Sequence, residues 1–145
     1  MNLKPLNKFN KKYSNFIFDL RNKIYVRRNS FNKKIIKFKD HEEWLENYFK
    51  KKNVFYVITD KNKFVGYIRL ELDKKKYNVS WALEKKFHGK GIAKKFLKKA
   101  TNKKKIIYFA KIKKNNLASL KVAKSALFEV EKIKNQIYYL YKKNK

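Results

Sequence analysis

The chain has 145 residues, a length that suits one domain spanning residues 1–145. Hydrophobic residues make up 43% and aromatics 17%, which excludes wholesale disorder, and the absence of cysteine excludes disulfide frameworks, thiolate zinc sites and thiol nucleophiles. Lys and Arg number 41 against 11 Asp and Glu, a formal charge of +30 that favours anionic partners, and the two histidines are too few for a His-rich metal centre.

In chain order, the first periodic segment covers residues 13 to 22, where Phe16, Ile17 and Leu20 share a helix face. A second helix is expected over 40 to 52. Asp40 stands as its cap and Glu43 completes a capping box, ahead of Trp44, Leu45, Tyr48 and Phe49 at helical spacing. The period then changes. Val54 to Thr59 is a β-branched and aromatic run closed by Asp60-Lys61-Asn62-Lys63, and Phe64 to Leu72 reads as the returning strand of a hairpin. Tyr77 to Leu83 follows as a third strand, and Lys90 to Asn102 returns to helical period. Ile106 to Ile112 is a strand and Leu117 to Leu127 a helix. Phe128 to Lys134 and Gln136 to Tyr141 form a closing hairpin about Asn135. This order predicts an α/β (α+β) fold, a mixed and mostly antiparallel sheet with helices on both faces. The Lys-rich tail from Lys142 onward is expected to fray.

No apolar run reaches the roughly 18 to 20 residues that cross a bilayer. The N-terminal stretch lacks the apolar core of a signal peptide, so a cytoplasmic protein with no membrane partner is expected. The basic charge by itself suggests nucleic-acid binding through phosphate neutralisation. Its distribution favours another origin. Lysines occur in nearly every segment, Lys, Asn, Ile, Phe and Tyr dominate as an AT-rich coding bias produces, and arginine occurs only at Arg21, Arg27, Arg28 and Arg69. A nucleic-acid partner is therefore not expected, although a polyphosphate cofactor would feel the same attraction.

The chemically informative stretch runs from Trp81 through Lys94. A strand leads into a loop holding two of the three glycines, Gly89 and Gly91, and a helix starts at once. Glycine lets the backbone approach an anion closely, and a helix N-terminus offers unpaired N–H groups. Lys90 and Lys94 add charge there. The stretch matches neither GxxxxGK[ST] nor GxGxxG.

His88-Gly89-Lys90-Gly91-Ile92-Ala93 resembles the R/Q-x-x-G-x-G/A signature of the GNAT superfamily of acetyl-CoA-dependent N-acetyltransferases, and the element order resembles that of GNATs over nearly the whole chain. The resemblance implies acetyl-CoA as cofactor. It implies that the strand edge at Trp81, Ala82 and Leu83 holds the pantetheine arm, with the segment His88, Gly89, Lys90, Gly91, Ile92, Ala93 and Lys94 at the pyrophosphate. Asn116 stands where the family has a cofactor-contacting Asn. Four positions depart from the family pattern. His88 replaces Arg or Gln, Ala123 stands where many members have a general-acid Tyr, Leu127-Phe128 replaces Gly-Phe, and Tyr77 stands where some members carry a basic carboxylate. Glu71 is the candidate base, and Tyr138, Tyr139 or Tyr141 are alternatives for the acid; each also has a plain structural role open to it.

Leu20-Arg21-Asn22, Val26-Arg27, Ser30 and His41-x-x-Trp44 resemble GNATs that acetylate amino sugars in surface-polysaccharide and nonulosonic-acid pathways. By that resemblance Arg21, Asn22, Arg27 and Ser30 face the acceptor, a small amine such as a nucleotide-linked amino sugar. A protein or peptide N-terminal acetyltransferase and a non-enzymatic basic nucleic-acid-binding module are the alternatives.

Overall fold

A computed structural model describes residues 1–145. Its elements are β1 (Asn2–Leu6), α1 (Lys11–Arg21), α2 (Ile24–Arg27), α3 (Phe38–Lys50), β2 (Val54–Asp60), β3 (Lys63–Asp73) and β4 (Lys76–Leu83). After a 3-10 turn at Lys85–Phe87 come α4 (Ile92–Ala100), β5 (Ile107–Lys113), α5 (Leu117–Ser125), β6 (Glu129–Lys134) and β7 (Ile137–Lys143). The strands form one seven-stranded sheet in the order β1-β2-β3-β4-β5-β7-β6. Every neighbouring pair is antiparallel except β4 and β5, so the mixed sheet expected from the sequence is the one observed.

Local chemistry sets the ends of these elements. Asn10 caps α1 by accepting from the Tyr13 N–H at 3.2 Å. The β2–β3 turn puts Lys61 and Asn62 at positive φ, and the β6–β7 turn does the same with Asn135 and Gln136. Such paired left-handed residues match the twist of a tight hairpin.

The sheet divides two cores. On one face α4 and α5 bury Phe96, Leu97, Leu120 and Ala123 against Ile58, Ile68, Val79, Ala110 and Leu140. On the other, α1 and α3 bury Ile17, Leu20, Leu45 and Tyr48 against Phe55, Val57, Tyr67 and Ala82. Each large side chain so enclosed contributes about 1.5–3 kcal/mol relative to exposure. α1 and α3 cover only the β2–β4 part of their face. The β5–β7–β6 part lies open there and forms a concavity of about 620 Å3 lined by Phe109, Tyr139 and Tyr141 among others.

Three expectations are corrected. β1 is not apparent in the sequence because Asn2-Leu3-Lys4-Pro5-Leu6 lacks a run of strand formers, yet it pairs with β2 along its whole length. As an edge strand it tolerates Pro5. The capping box at Asp40 and Glu43 does not form. α3 starts at Phe38 with no side-chain cap, because Phe38 sets its ring edge-on to Phe18 at 5.2 Å and draws the helix start forward. Nor does the tail fray at Lys142. Its side chain is buried and its Nζ donates to Thr101 Oγ1 at 2.9 Å, while Asn144 Nδ2 donates to the carbonyls of Thr101 and Lys103. The cation thus lies at the C-terminal end of α4, where the helix dipole favours it.

Candidate cofactor and acceptor sites

The site begins where β4 and β5 separate. Their parallel pairing joins Lys76 to Ile107, Tyr77 to Tyr108 and Asn78 to Phe109, and then stops. β4 continues to Leu83 beside β3 alone, and β5 continues to Lys113 beside β7 alone. One backbone edge from Val79 to Leu83 therefore has no strand partner, and buried backbone groups require some partner. The side chains there alternate: Trp81 and Leu83 pack into the α4–α5 core and Ala82 into the α1–α3 core. Gly66 on β3 faces Leu83, and a Cβ at Gly66 would overlap the Ala82 carbonyl oxygen and the Leu83 side chain. Only glycine lets β3 lie this close to the end of β4.

Beyond β4 the chain turns into α4 through Gly89 (φ +72) and Gly91 (φ +75). Gly91 is the N-cap of α4 and supplies no side-chain cap. From Gly89 to Lys94 the backbone N–H groups have no hydrogen-bond acceptor, and nothing lies within 4 Å of a Cβ built at either glycine. Consecutive free amides, open space over the glycines and the positive end of a helix dipole together fit a diphosphate. Lys90 and Lys94 are exposed beside them. His88 is placed differently. Its Nε2 donates to the Leu83 carbonyl at 3.0 Å and its ring stands edge-on to Tyr25, so it locks the loop instead of facing the amides. Asn116 caps α5, accepting from the Ser119 N–H at 3.2 Å, and its Nδ2 has no protein acceptor.

The mouth of the gap is bridged by α2 together with the turn that follows it. The Tyr25 hydroxyl donates to Glu84 Oε2 at 3.3 Å and accepts from the Lys85 N–H at 3.1 Å, at the end of β4. Lys113, at the end of β5, donates to the Ser30 carbonyl at 2.6 Å and to that of Arg28 at 3.4 Å. One short segment is thereby tied to both arms. Neither Tyr25 nor Lys113 stands out in the sequence, since the contacts join residues some 60 to 83 positions apart.

On the α1–α3 side a polar cluster lies over β3 and β4. The Arg21 guanidinium stacks 4.1 Å from the centre of Trp44, and that of Arg69 lies 5.3 Å from the same ring. Arg69 donates to Ser80 Oγ at 2.8 Å and pairs with Glu71 at 3.3 Å. Glu71 faces Asn78 across the ladder, the last β4 residue joined to β5, so it stands where the two arms part. Arg21 has no carboxylate within ion-pairing distance. Its NH1 donates to His41 Nδ1 at 3.4 Å, and His41 Nε2 donates to the Ser14 carbonyl at 3.0 Å. That tautomer requires a neutral ring, and burial together with the Arg21 charge lowers the His41 pKa to about 4. Burial and the neighbouring Arg69 lower the pKa of Arg21 to about 10. Arg21 and Trp44 line a shallow concavity of about 330 Å3 with Ile35, Ile36 and Asp40 among its other walls.

The other three residues expected against the acceptor are engaged by the loop itself. Asn22 clamps the N–H and carbonyl of Ile36, Arg27 donates to the carbonyls of Asn22 and Lys33, and Ser30 donates to that of Val26. Among the acid alternatives, Tyr141 gives its hydroxyl to Glu129 at 3.0 Å on the sheet's far edge. Tyr138 packs on the α4–α5 core, and Tyr139 lies on the opposite face in the large concavity. Ala123 is fully buried.

The sheet's two parallel central strands part beside a glycine-bounded helix N-terminus whose free amides suit a diphosphate. A profile of the acetyltransferase (GNAT) domain matches residues 6–129, and the chain belongs to that family, whose N-acetyltransferases take acetyl-CoA as donor. No curated protein sequence matches the chain. Among solved structures, spermidine N-acetyltransferase from Vibrio cholerae, in complex with CoA and spermine, is similar in fold. Its TM-score is 0.80 at 16% identity, over 97% of this chain and 94% of that one. The Campylobacter jejuni N-acetyltransferase PseH in complex with acetyl coenzyme A has a TM-score of 0.73 at 19% identity, over 99% of both chains. The ribosomal L7/L12 alpha-N-protein acetyltransferase RimL, in complex with CoA, has a TM-score of 0.76 at 14% identity, over 98% and 93%. No helix of this chain is long and apolar enough to cross a membrane.

Proposed function

We propose that residues 1–145 act as one unit that acetylates the amine of a nucleotide-linked amino sugar, in the cytoplasm. Bound acetyl-CoA supplies an activated thioester carbonyl. Around it, the amides of Gly89 to Lys94, with Lys90 and Lys94, hold the diphosphate, and the free edge at Trp81, Ala82 and Leu83 holds the pantetheine arm. Asn116 Nδ2 donates to that arm. An outward N–H of β4 polarises the carbonyl, a role that needs no special side chain. Glu71, paired with Arg69, takes the proton of the amine through a water. An amine with a pKa of about 7.7–8, like an α-amino group, is already partly neutral at pH 7 and asks little of that base. With Ala123 in place of an acid, no side chain stands there to protonate the leaving thiol, and water would supply that proton.

The observation that carries the choice of acceptor is Arg21. It is a half-buried cation oriented by a neutral histidine, without a carboxylate of its own, and it borders an open concavity. An acceptor phosphate would supply the missing counter-charge through charge-assisted bonds. A polyamine would meet the Arg21 and Arg69 cations there, with Glu71 already paired to Arg69 and only Asp40 among the carboxylates on the concavity's wall. The test is acetyl-CoA turnover, read by free thiol, across UDP-linked amino sugars, polyamines and peptides. The sugar nucleotide is expected to react fastest, with an advantage that shrinks as salt rises. Efficient turnover of a basic peptide or spermidine, with none of the sugar nucleotide, would overturn the choice.

A further inference from the structure

β6 ends the sheet on the side away from β1, and all six of its residues are exposed. Its sequence is Glu129-Val130-Glu131-Lys132-Ile133-Lys134. In a chain of charge +30 this strand is neutral, and it holds two of the 11 acidic residues. Read backwards, every charge changes sign and the aliphatic positions stay in place.

The facing of the side chains has the same symmetry, because of a bulge. Val130 pairs with Leu140 and Ile133 with Tyr138, so both lie on the side of the α4–α5 core. Glu129, opposite Tyr141, lies on the other side, as does Lys134 opposite Ile137. Between Val130 and Lys132 the register shifts by one residue, and Glu131 and Lys132 both line the large concavity on that other side. Without the bulge, Glu131 and Lys132 would point to opposite faces and could not meet across a two-fold axis. With it, they can.

We infer that β6 is a self-pairing edge, through which two copies of this chain join antiparallel about a two-fold axis perpendicular to the sheet. Glu129 then faces Lys134 of the second copy, Glu131 faces Lys132, and Val130 faces Ile133, each pair repeated by symmetry. Val130, 37% exposed, and Ile133, 54% exposed, become cross-strand neighbours and lose contact with water. The free N–H and C=O groups of the strand find partners at the same time. A second copy is favoured over a foreign strand because the charge order complements itself. Elsewhere two such basic chains repel, so association strengthens as salt rises from low values and screens that repulsion.

The test is sedimentation velocity of the full chain at increasing concentration and at several ionic strengths, with circular dichroism to show that each variant is folded. Glu131→Lys and Lys132→Glu alone each place like charges opposite one another twice across the axis. Each is expected to weaken the dimer by roughly tenfold or more. The double exchange, Glu131→Lys with Lys132→Glu, restores opposite charges and is expected to return the dissociation constant to near its original value. A wild-type chain that stays monomeric at roughly 100 μM and physiological salt would overturn the inference. So would a dimer indifferent to the single changes, or a double exchange no tighter than the singles.

Discussion

The proposed cofactor half and the proposed acceptor half of the molecule are built from different materials. At the end of β4 and the start of α4 the groups proposed to bind are backbone: free amides from Gly89 to Lys94 and an unpartnered strand edge from Val79 to Leu83. On the α1–α3 side they are side chains, and each is shared with the fold. Arg21 is stacked on Trp44, Asn22 holds Ile36, and Arg27 and Ser30 hold the turn after α2. Backbone recognition depends on where glycines stand and where pairing stops, so it survives wide changes of sequence. Side-chain recognition depends on which residues the fold leaves free, and here that is chiefly Arg21.

The largest expected effect breaks the first half. Gly91→Glu places a carboxylate over the free amides, and nothing in the fold collides with its Cβ. The left-handed φ costs roughly 1–2 kcal/mol, which a folded domain tolerates. Calorimetry is expected to find a folded protein with no measurable acetyl-CoA binding; unchanged affinity would remove the cradle.

A smaller effect sharpens the second half. His41 is neutral when folded, with a pKa of about 4 against about 6.5 when unfolded. Between those values the unfolded chain binds a proton that the native chain refuses, so stability is full above pH 6.5 and falls toward pH 4. The loss amounts to about 3 kcal/mol. Urea unfolding at pH 7 and pH 4.5 should show that slope in the wild type and a shallower one in His41→Asn. Equal slopes would mean that His41 does not hold Arg21 as a neutral acceptor.

The smallest effect tests how closely the cofactor half is packed. Gly66→Ala drives a methyl group against Ala82 and Leu83 at the free end of β4. A loss of about 1–3 kcal/mol in thermal unfolding is expected, with weaker acetyl-CoA binding. An unchanged melting temperature would show that β4 can shift freely.

This division also explains what the sequence made legible. Strands β2 to β5, helices α4 and α5 and the closing hairpin follow from apolar period, and the glycine loop from its position between strand and helix. β1 escapes because pairing with β2, and not its own composition, makes it a strand. Lys142 escapes because a basic tail resembles any solvated end until Thr101 and the α4 terminus are placed beside it. At the acceptor side the residue types Arg, Asn and Ser indicate hydrogen bonding without showing its partner. Asn22 and Ile36 are 14 positions apart, and no local pattern joins them.

The most direct measurement compares kcat/KM of the wild type and Arg21→Ala for two acceptors, a UDP-linked amino sugar and the same amino sugar without its nucleotide. If Arg21 reads the acceptor's phosphate, the variant loses roughly tenfold to a hundredfold on the nucleotide-linked sugar, as expected for a lost charge-assisted hydrogen bond. It keeps its rate on the free sugar and its affinity for acetyl-CoA. An equal loss on both acceptors, or no loss on either, would contradict the assignment of the acceptor site to Arg21.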